Sequence, residues 1–240
     1  MRPRIKLYYD IVSPWSYFAF TILSRYLSHP YLSTPPPLSS LSLVYQPIWN
    51  FELALRPIFL GGLHKASGNS APMNVPNKGK YMHGLDVPIC AQAFNIKMIH
   101  PTPFPLLTLN IMRFLRVMST EHPEMVGPAS KEFWERYWGA KPGVPLDKLA
   151  DPAMFRSVLS TDLVGDKALE CMIERSKTEE IKQLVRLDVD ILNDEGAFGA
   201  PWIVVEREDG DSRPFFGSDR FEIIAFYLNK PWKGSNPNFK

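Results

Sequence analysis

The stretch Tyr8 to Tyr17, YYDIVSPWSY, places a hydroxyl where chemistry is often done. Ser13 follows a β-branched and aromatic run and precedes Pro14, a residue suited to the first position of a helix. In the plain structural reading Ser13 is an N-cap whose oxygen accepts from a backbone N–H of the first turn. In the chemical reading the same place suits an anion, because a helix N-terminus carries unpaired N–H groups and about half a positive charge. A cysteine there would be a nucleophile. A serine cannot replace it as a thiol, but its O–H can donate to a thiolate that a ligand brings. A thiol of pKa about 8.5 is only about 3% ionised at pH 7, and lowering that pKa by about two takes roughly 2.7 kcal/mol. One charge-assisted hydrogen bond of about 1.5–3 kcal/mol, helped by the helix end, can supply it. Ser13 and Ser16 thus have the spacing of a dithiol motif without its sulfurs.

Other reactive groups point elsewhere. His29, His64, His83, His100 and His122 show no metal-ligand spacing and read as surface or core histidines, so no metal is expected. Cys90 and Cys171 are far apart and form no Cys-x-x-Cys pair, which argues against a disulfide framework, a zinc knuckle or a dithiol site. Both read as small buried hydrophobes, and a reducing compartment fits such cysteine usage. No Gly-x-x-x-x-Gly-Lys loop is present for phosphates.

The chain that must position Ser13 has 240 residues, 45% apolar and 12% aromatic, enough for a sizeable core. Its 27 Lys and Arg against 25 Asp and Glu leave a net charge of +2 without long charge blocks, so neither nucleic acid nor a membrane surface is the expected partner. No apolar run reaches the roughly 18 residues of a membrane span. The basic start Met1–Arg4 runs straight into strand-like sequence, leaving no room for a secretory or mitochondrial presequence, and Asn238-Phe239-Lys240 is not a Ser-Lys-Leu type address. The expectation is a soluble intracellular protein of the cytoplasm, mitochondrion or peroxisome.

Periodicity supplies the elements. Residues 5–12 favour a strand; Trp15, Phe18, Ala19, Ile22, Leu23, Tyr26 and Leu27 mark the apolar face of a helix. The proline-serine run 30–40 reads as a surface loop, and 41–49 (LSLVYQPIW) as a second strand, parallel to the first. Residues 61–102 read as long loops with a helix near 87–94; helices follow at about 104–120, 128–138, 152–160 and 166–193. Strands at 202–206 and 213–216 flank an Asp-Gly-Asp turn, and a last helix carries Phe221, Ile224, Ala225 and Leu228.

The segments YYDIVSPWSYFAF, LRPIFLGGLHKASGN, PNKGKYM, EHPEM with ASKEFWERYW, GAFGAPWIVV and FFGSDRFEIIAFYL run in order through nearly the whole chain. In them the sequence resembles the kappa-class glutathione transferases, within the group that includes 2-hydroxychromene-2-carboxylate isomerases and DsbA. The resemblance implies an α/β protein with a thioredoxin-like fold, a large all-helical domain being inserted after the first βαβ unit. Residues 1–60 and 195–240 would form the discontinuous thioredoxin-like domain and 61–194 the helical insertion. In that plan the turns at Ser13 and Pro201 meet at one end of the sheet, with Pro201 cis.

Residue by residue, the resemblance makes Ser13 the group that activates the glutathione thiolate, with Pro14 and Trp15 shaping its turn. Asn69 matches a glutathione-contacting asparagine and Lys78 a lysine for the glycine carboxylate. The backbone of Ala200, before Pro201, would pair with the cysteinyl part, and Ser218 with Asp219 would hold the γ-glutamyl end, helped by a helix N-terminus at Ser218. Read singly, Lys78 is a surface lysine, Asn69 a turn former, and Asp219 with Glu222 a capping box. Implied partners are glutathione as co-substrate, a small hydrophobic electrophile and a second copy of the chain. The leading expectation is a kappa-type glutathione transferase that conjugates small electrophiles, with peroxidase activity beside it. A glutathione-dependent isomerase of the 2-hydroxychromene-2-carboxylate type and a non-catalytic thiol-peptide binder are the competing readings. Departures are the long 30–40 loop, Ala200 where relatives can carry leucine, and Trp202, a large indole beside Pro201 where a smaller aliphatic residue is usual.

Overall fold

The computed structural model describes residues 2–27, 48–159 and 163–237. Its sheet is built on β1 (Arg4–Tyr9), whose alternate residues Ile5, Leu7 and Tyr9 are buried. Pro14 opens α1 (Pro14–Tyr26) at the first helical position after Ser13, and nine of its side chains are buried. β2 (Glu52–Pro57) pairs parallel with β1. The proline-serine run 30–40 and most of the 41–49 segment lie outside the described residues; Ile48 and Trp49 form a bend. The partner strand therefore follows that segment. Its sequence, ELALRP, buries only Leu55 and Pro57, so its period-2 signal is weak.

Between β2 and the third strand the chain is helical. The 61–102 stretch, expected as long loops with one helix near 87–94, holds that helix as α4 (Val87–Ala93), and before it α2 (Leu60–Ala66), α3 (Pro76–Tyr81) and a π-helical turn at Met82–Asp86 where loop was expected. Prolines at 76 and 88 sit in the first turn of their helices, where the missing N–H costs nothing. α5 (Leu109–Glu121) begins five residues later than periodicity suggests; Pro101, Pro103 and Pro105 precede it, each without an N–H for a helix, and the peptides before Pro103 and Pro105 are cis. α6 (Val126–Tyr137) and the short α7 (Phe155–Val158) follow. The expected 166–193 helix is two, α8 (Asp166–Ser176) and α9 (Glu179–Asp194), parted where Thr178 caps the second by accepting from Ile181 N–H.

The sheet is completed by β3 (Trp202–Glu206), antiparallel to β1, and β4 (Ser212–Phe216), antiparallel to β3, in the order β2-β1-β3-β4. α10 (Phe221–Tyr227) closes the chain's regular structure. This is the thioredoxin-like plan, with helices inserted after the first βαβ unit.

Two residues at the end of α6 hold the functional end of the sheet. Trp138, fully buried, donates from Nε1 to the Ile11 carbonyl at 3.1 Å, and the Tyr137 hydroxyl accepts from Leu106 N–H at 2.8 Å. The first tie fixes the β1–α1 turn, the second the cis-proline segment. Trp138→Phe should cost about 2–4 kcal/mol, from a lost buried hydrogen bond plus a small cavity. Urea unfolding checks this, and a loss below about 0.5 kcal/mol, the level of an ordinary surface substitution, would mean that the turn is held elsewhere.

Candidate active site

A cleft of about 940 Å³ opens at the end of β1, within the range of ligand sites of roughly 300–1,000 Å³. Ser13, Pro14, Trp15, Asn69, Lys78, Ala200, Pro201, Ser218 and Asp219 all line it. The topology brings them from five separate stretches of chain to one place.

Ser13 is at its floor, only 4% exposed. Its Oγ accepts from Ser16 N–H at 3.2 Å, so the routine cap is real, and its own hydroxyl donates to the Ala200 carbonyl at 3.2 Å. The Ala200–Pro201 peptide is cis. Two turns 187 positions apart therefore meet through one hydroxyl. Ser16, at the second position of the dithiol spacing, is fully buried, and its hydroxyl has no partner among the described residues.

Asp10, which sequence reasoning left without a role, anchors this floor. Fully buried, its Oδ1 accepts from Val12 N–H at 3.0 Å and from the Thr108 hydroxyl at 2.6 Å, and its Oδ2 from Leu60 N–H at 2.8 Å. Desolvation pushes its pKa up to about 6, against the lowering by those donors. The lone acid at the end of an apolar strand was the available signal.

The segment after β4 is tied in through its backbone. Gly217 N–H donates to the Pro201 carbonyl at 3.1 Å; at φ +94° a Cβ on Gly217 would stand 2.6 Å from Asp219 Oδ1. Only glycine allows that approach. Ser218 is buried, while Asp219 is exposed and pairs with Arg220 at 2.8 Å. The helix expected to start at Ser218 starts at Phe221, after Arg220 and without a side-chain cap, so no capping box links Asp219 to Glu222.

Asn69 Nδ2 donates to the Phe198 carbonyl at 2.7 Å, joining the segment after α2 to the turn before β3. Trp202 does not line the cleft. It is buried among Ile58, Leu60, Leu63, Val189 and Leu192, with its ring 5.7 Å from that of Phe198, which does line it. The indole thus acts as a support for the rim. Cys90 is half-buried on the cleft wall and Cys171 exposed, so neither is the fully buried hydrophobe expected. Burial and Asp86 raise the Cys90 thiol, which disfavours a resident thiolate.

The remaining wall is apolar and aromatic. Trp15, Met82, His83, Phe104 and Leu106 contribute to it, with His83 4.7 Å from Phe104 and 5.8 Å from Trp15 between ring centroids. Sequence reasoning missed His83 and Phe104, because the cis-proline segment that brings Phe104 here has no periodic signal. Among the described residues no cluster of three or more His, Cys, Asp or Glu is placed to hold a metal, and no helix is long and apolar enough to cross a membrane.

Comparison with known proteins gives a DSBA-like thioredoxin domain over residues 4–229. The chain is 32% identical to glutathione S-transferase kappa 1 of Rattus norvegicus over 241 residues, covering 98% of this chain and 95% of that one. It is 31% identical to glutathione S-transferase kappa 1 of Homo sapiens, covering 97% and 94%. Among solved structures, 2-hydroxychromene-2-carboxylate isomerase superposes with a TM-score of 0.65 at 18% identity, over 94% of each chain.

Asp10 also sets a pH dependence. Its pKa is about 6 in the folded protein against 3.8 for an ordinary aspartate, so the native state holds the proton more tightly between those values. Its contribution to stability is therefore full below about pH 4 and is lost as pH rises through about 6, on the order of 3 kcal/mol in all. Stability profiles of the wild type and Asp10→Asn should differ by this slope between pH 4 and 7. Parallel profiles would show that Asp10 titrates normally.

Proposed function

The chain belongs to the glutathione S-transferase kappa family, built on a DSBA-like thioredoxin domain, and we propose that it ionises the glutathione thiol beside Ser13 and delivers the thiolate to small electrophiles. The observation that carries this reading is the placement of the Ser13 hydroxyl, at the N-terminus of α1 and facing the Ala200 carbonyl beside the cis Pro201. On binding, that hydroxyl turns from Ala200 to the sulfur and donates to it. The Ala200 backbone, freed, pairs with the cysteinyl backbone of the ligand. The proton leaves to solvent, and the helix end favours the anion that remains.

Charge complementarity supports the rest of the assignment. Glutathione carries two carboxylates and one ammonium. The cleft offers Lys78, without an ion-pair partner among the described residues, for the glycine carboxylate; Ser218 and backbone N–H groups for the γ-glutamyl carboxylate; and Asp219 for the ammonium. Asn69 is already committed to Phe198, so its contribution is to shape the loop while its remaining donor faces the ligand.

The aromatic wall of Trp15, His83 and Phe104 receives the electrophile. Attack on carbon forms a C–S bond and expels the leaving group. With a hydroperoxide, the thiolate takes the terminal oxygen as the O–O bond breaks, the alkoxide leaves and is protonated to the alcohol, and the sulfenic acid condenses with a second glutathione to give glutathione disulfide and water. No protein-bound covalent intermediate is required; held proximity and the larger thiolate fraction account for the rate. The same proposal divides the chain into 1–60 with 195–240, carrying the thiol turn and Trp15 of the electrophile wall, and 61–194, carrying His83 and Phe104 of that wall. It includes a homodimer.

Ser13→Ala should raise the pKa of bound glutathione by about one to two and lower kcat/KM for aryl-halide conjugation by about 10- to 100-fold, the worth of one charge-assisted hydrogen bond. Thiolate absorbance across pH and steady-state conjugation measure the two. Unchanged thiol pKa and rate would remove Ser13 from this role. Product analysis decides between conjugation and isomerisation, since an isomerase returns free glutathione and a rearranged substrate; binding without turnover of any electrophile would make the protein a binder only.

A further inference from the structure

His64 lines the cleft from α2 as Lys78 does from α3. Its ring is half-buried and makes no hydrogen bond among the described residues. The face of α9 packed against α2 presents Val189 and Leu192, which are apolar, so the charged group acting on the imidazole is Lys78. A chargeable ring and an unpaired ammonium thus line one cleft; of its carboxylates Asp10 is committed to Val12, Leu60 and Thr108, Asp86 faces Cys90 and Asp219 pairs with Arg220, and none forms an ion pair with His64 or Lys78 among the described residues. Such a pair is poorly disposed to carry two charges when empty and well disposed to do so around an anion.

We propose that His64 and Lys78 together form the subsite for the glycine carboxylate of glutathione, and that the imidazole is protonated as the anion enters, so that binding takes up a proton. This rests on the glutathione reading above and adds to it a second cation and a direction of pH dependence. Partial burial and Lys78 lower the pKa of the empty-site imidazole, which keeps it neutral at physiological pH and leaves it a proton to gain. The carboxylate reverses both influences: it offsets the Lys78 charge and accepts from the new N–H. Affinity then rises as pH falls from 8 to 6.

Calorimetry with S-methylglutathione tests this without interference from thiol ionisation. Wild type should bind it about 5- to 10-fold more tightly at pH 6 than at pH 8, with fractional proton uptake measured in buffers of different ionisation enthalpy. A tenfold change corresponds to about 1.4 kcal/mol. His64→Gln should lose the uptake and bind at pH 6 as weakly as wild type at pH 8. His64→Arg, charged at every pH, should bind at pH 8 as tightly as wild type at pH 6. The glycyl ethyl ester of S-methylglutathione shares the ligand's amine but lacks the carboxylate, and should show neither pH dependence nor a loss with His64→Gln. An unaltered pH profile in His64→Gln, an equal loss with the ester, or failure of His64→Arg to restore binding would each overturn the subsite while leaving the thiol reading intact. If wild type binds neither glutathione nor S-methylglutathione, the thiol reading falls and the subsite falls with it.

Discussion

The geometry of the cleft depends on a buried carboxylate that does no chemistry. Asp10 stands where β1 ends, and its two oxygens collect donors from the β1–α1 turn, from the start of α2 and from Thr108 at the head of α5. These are the three places from which the thiol turn, the Lys78 side and the cis-proline wall depart. One group in one position thus fixes their mutual spacing, at the cost of holding an acid out of water. Three donors offset part of that cost, and the raised pKa records what is left. An apolar residue would spare the desolvation but leave Leu60 N–H and Val12 N–H without acceptors, which is the more expensive arrangement.

On that frame the site is finished by backbone rather than by side chains. Gly217 N–H joins the post-β4 segment to the Pro201 carbonyl, and Gly199 lets the Phe216 ring approach to where its own Cβ would stand 2.9 Å away. Phe198 and Phe216 then meet at 4.5 Å, with Trp202 beneath. This packing orients the Ala200 carbonyl toward Ser13 whatever side chain Ala200 carries. A contact made by main chain tolerates alanine in a place where relatives can use leucine, and the departure at Ala200 loses its weight.

The strongly periodic parts of the fold were legible in the sequence: β1, α1, β3 and α10 each carry an alternation or an apolar stripe that burial enforces, while β4, none of whose residues is buried, was legible from the Asp-Gly-Asp turn before it. The nine residues that line the cleft as expected were legible only as a set in order, through a resemblance, because singly each has an ordinary structural use. What escaped had physical reasons. β2 is half-exposed and lacks alternation, whereas the segment before it is richer in strand formers. α2 and α3 are short, rich in glycine and proline, and stabilised by contacts such as that of Gly79 on Met73, where a Cβ would stand only 3.0 Å from Cα. Propensity is silent about such tertiary support. His64 was unreadable for a related cause: no spacing along the chain relates it to Lys78, and only the tertiary fold brings the two to one cleft.

The absence of a cysteine at the α1 turn changes what the fold must provide. A resident thiol is positioned by its own covalent attachment, so the surrounding site need only tune its pKa. A thiol that arrives on a tripeptide must first be placed, and placing it takes contacts along the whole ligand. On the glutathione reading proposed above, that requirement fits the distribution of the lining: one hydroxyl at the floor, Ser13, and the greater number of polar groups, from Asn69 and Lys78 to Ser218 and Asp219, distributed elsewhere around the cleft. Most of the binding free energy then comes from parts of the ligand that do not react, and it is available to hold the thiolate against the desolvation that makes it a good nucleophile. A serine suffices at the floor because the rest of the cleft does the holding.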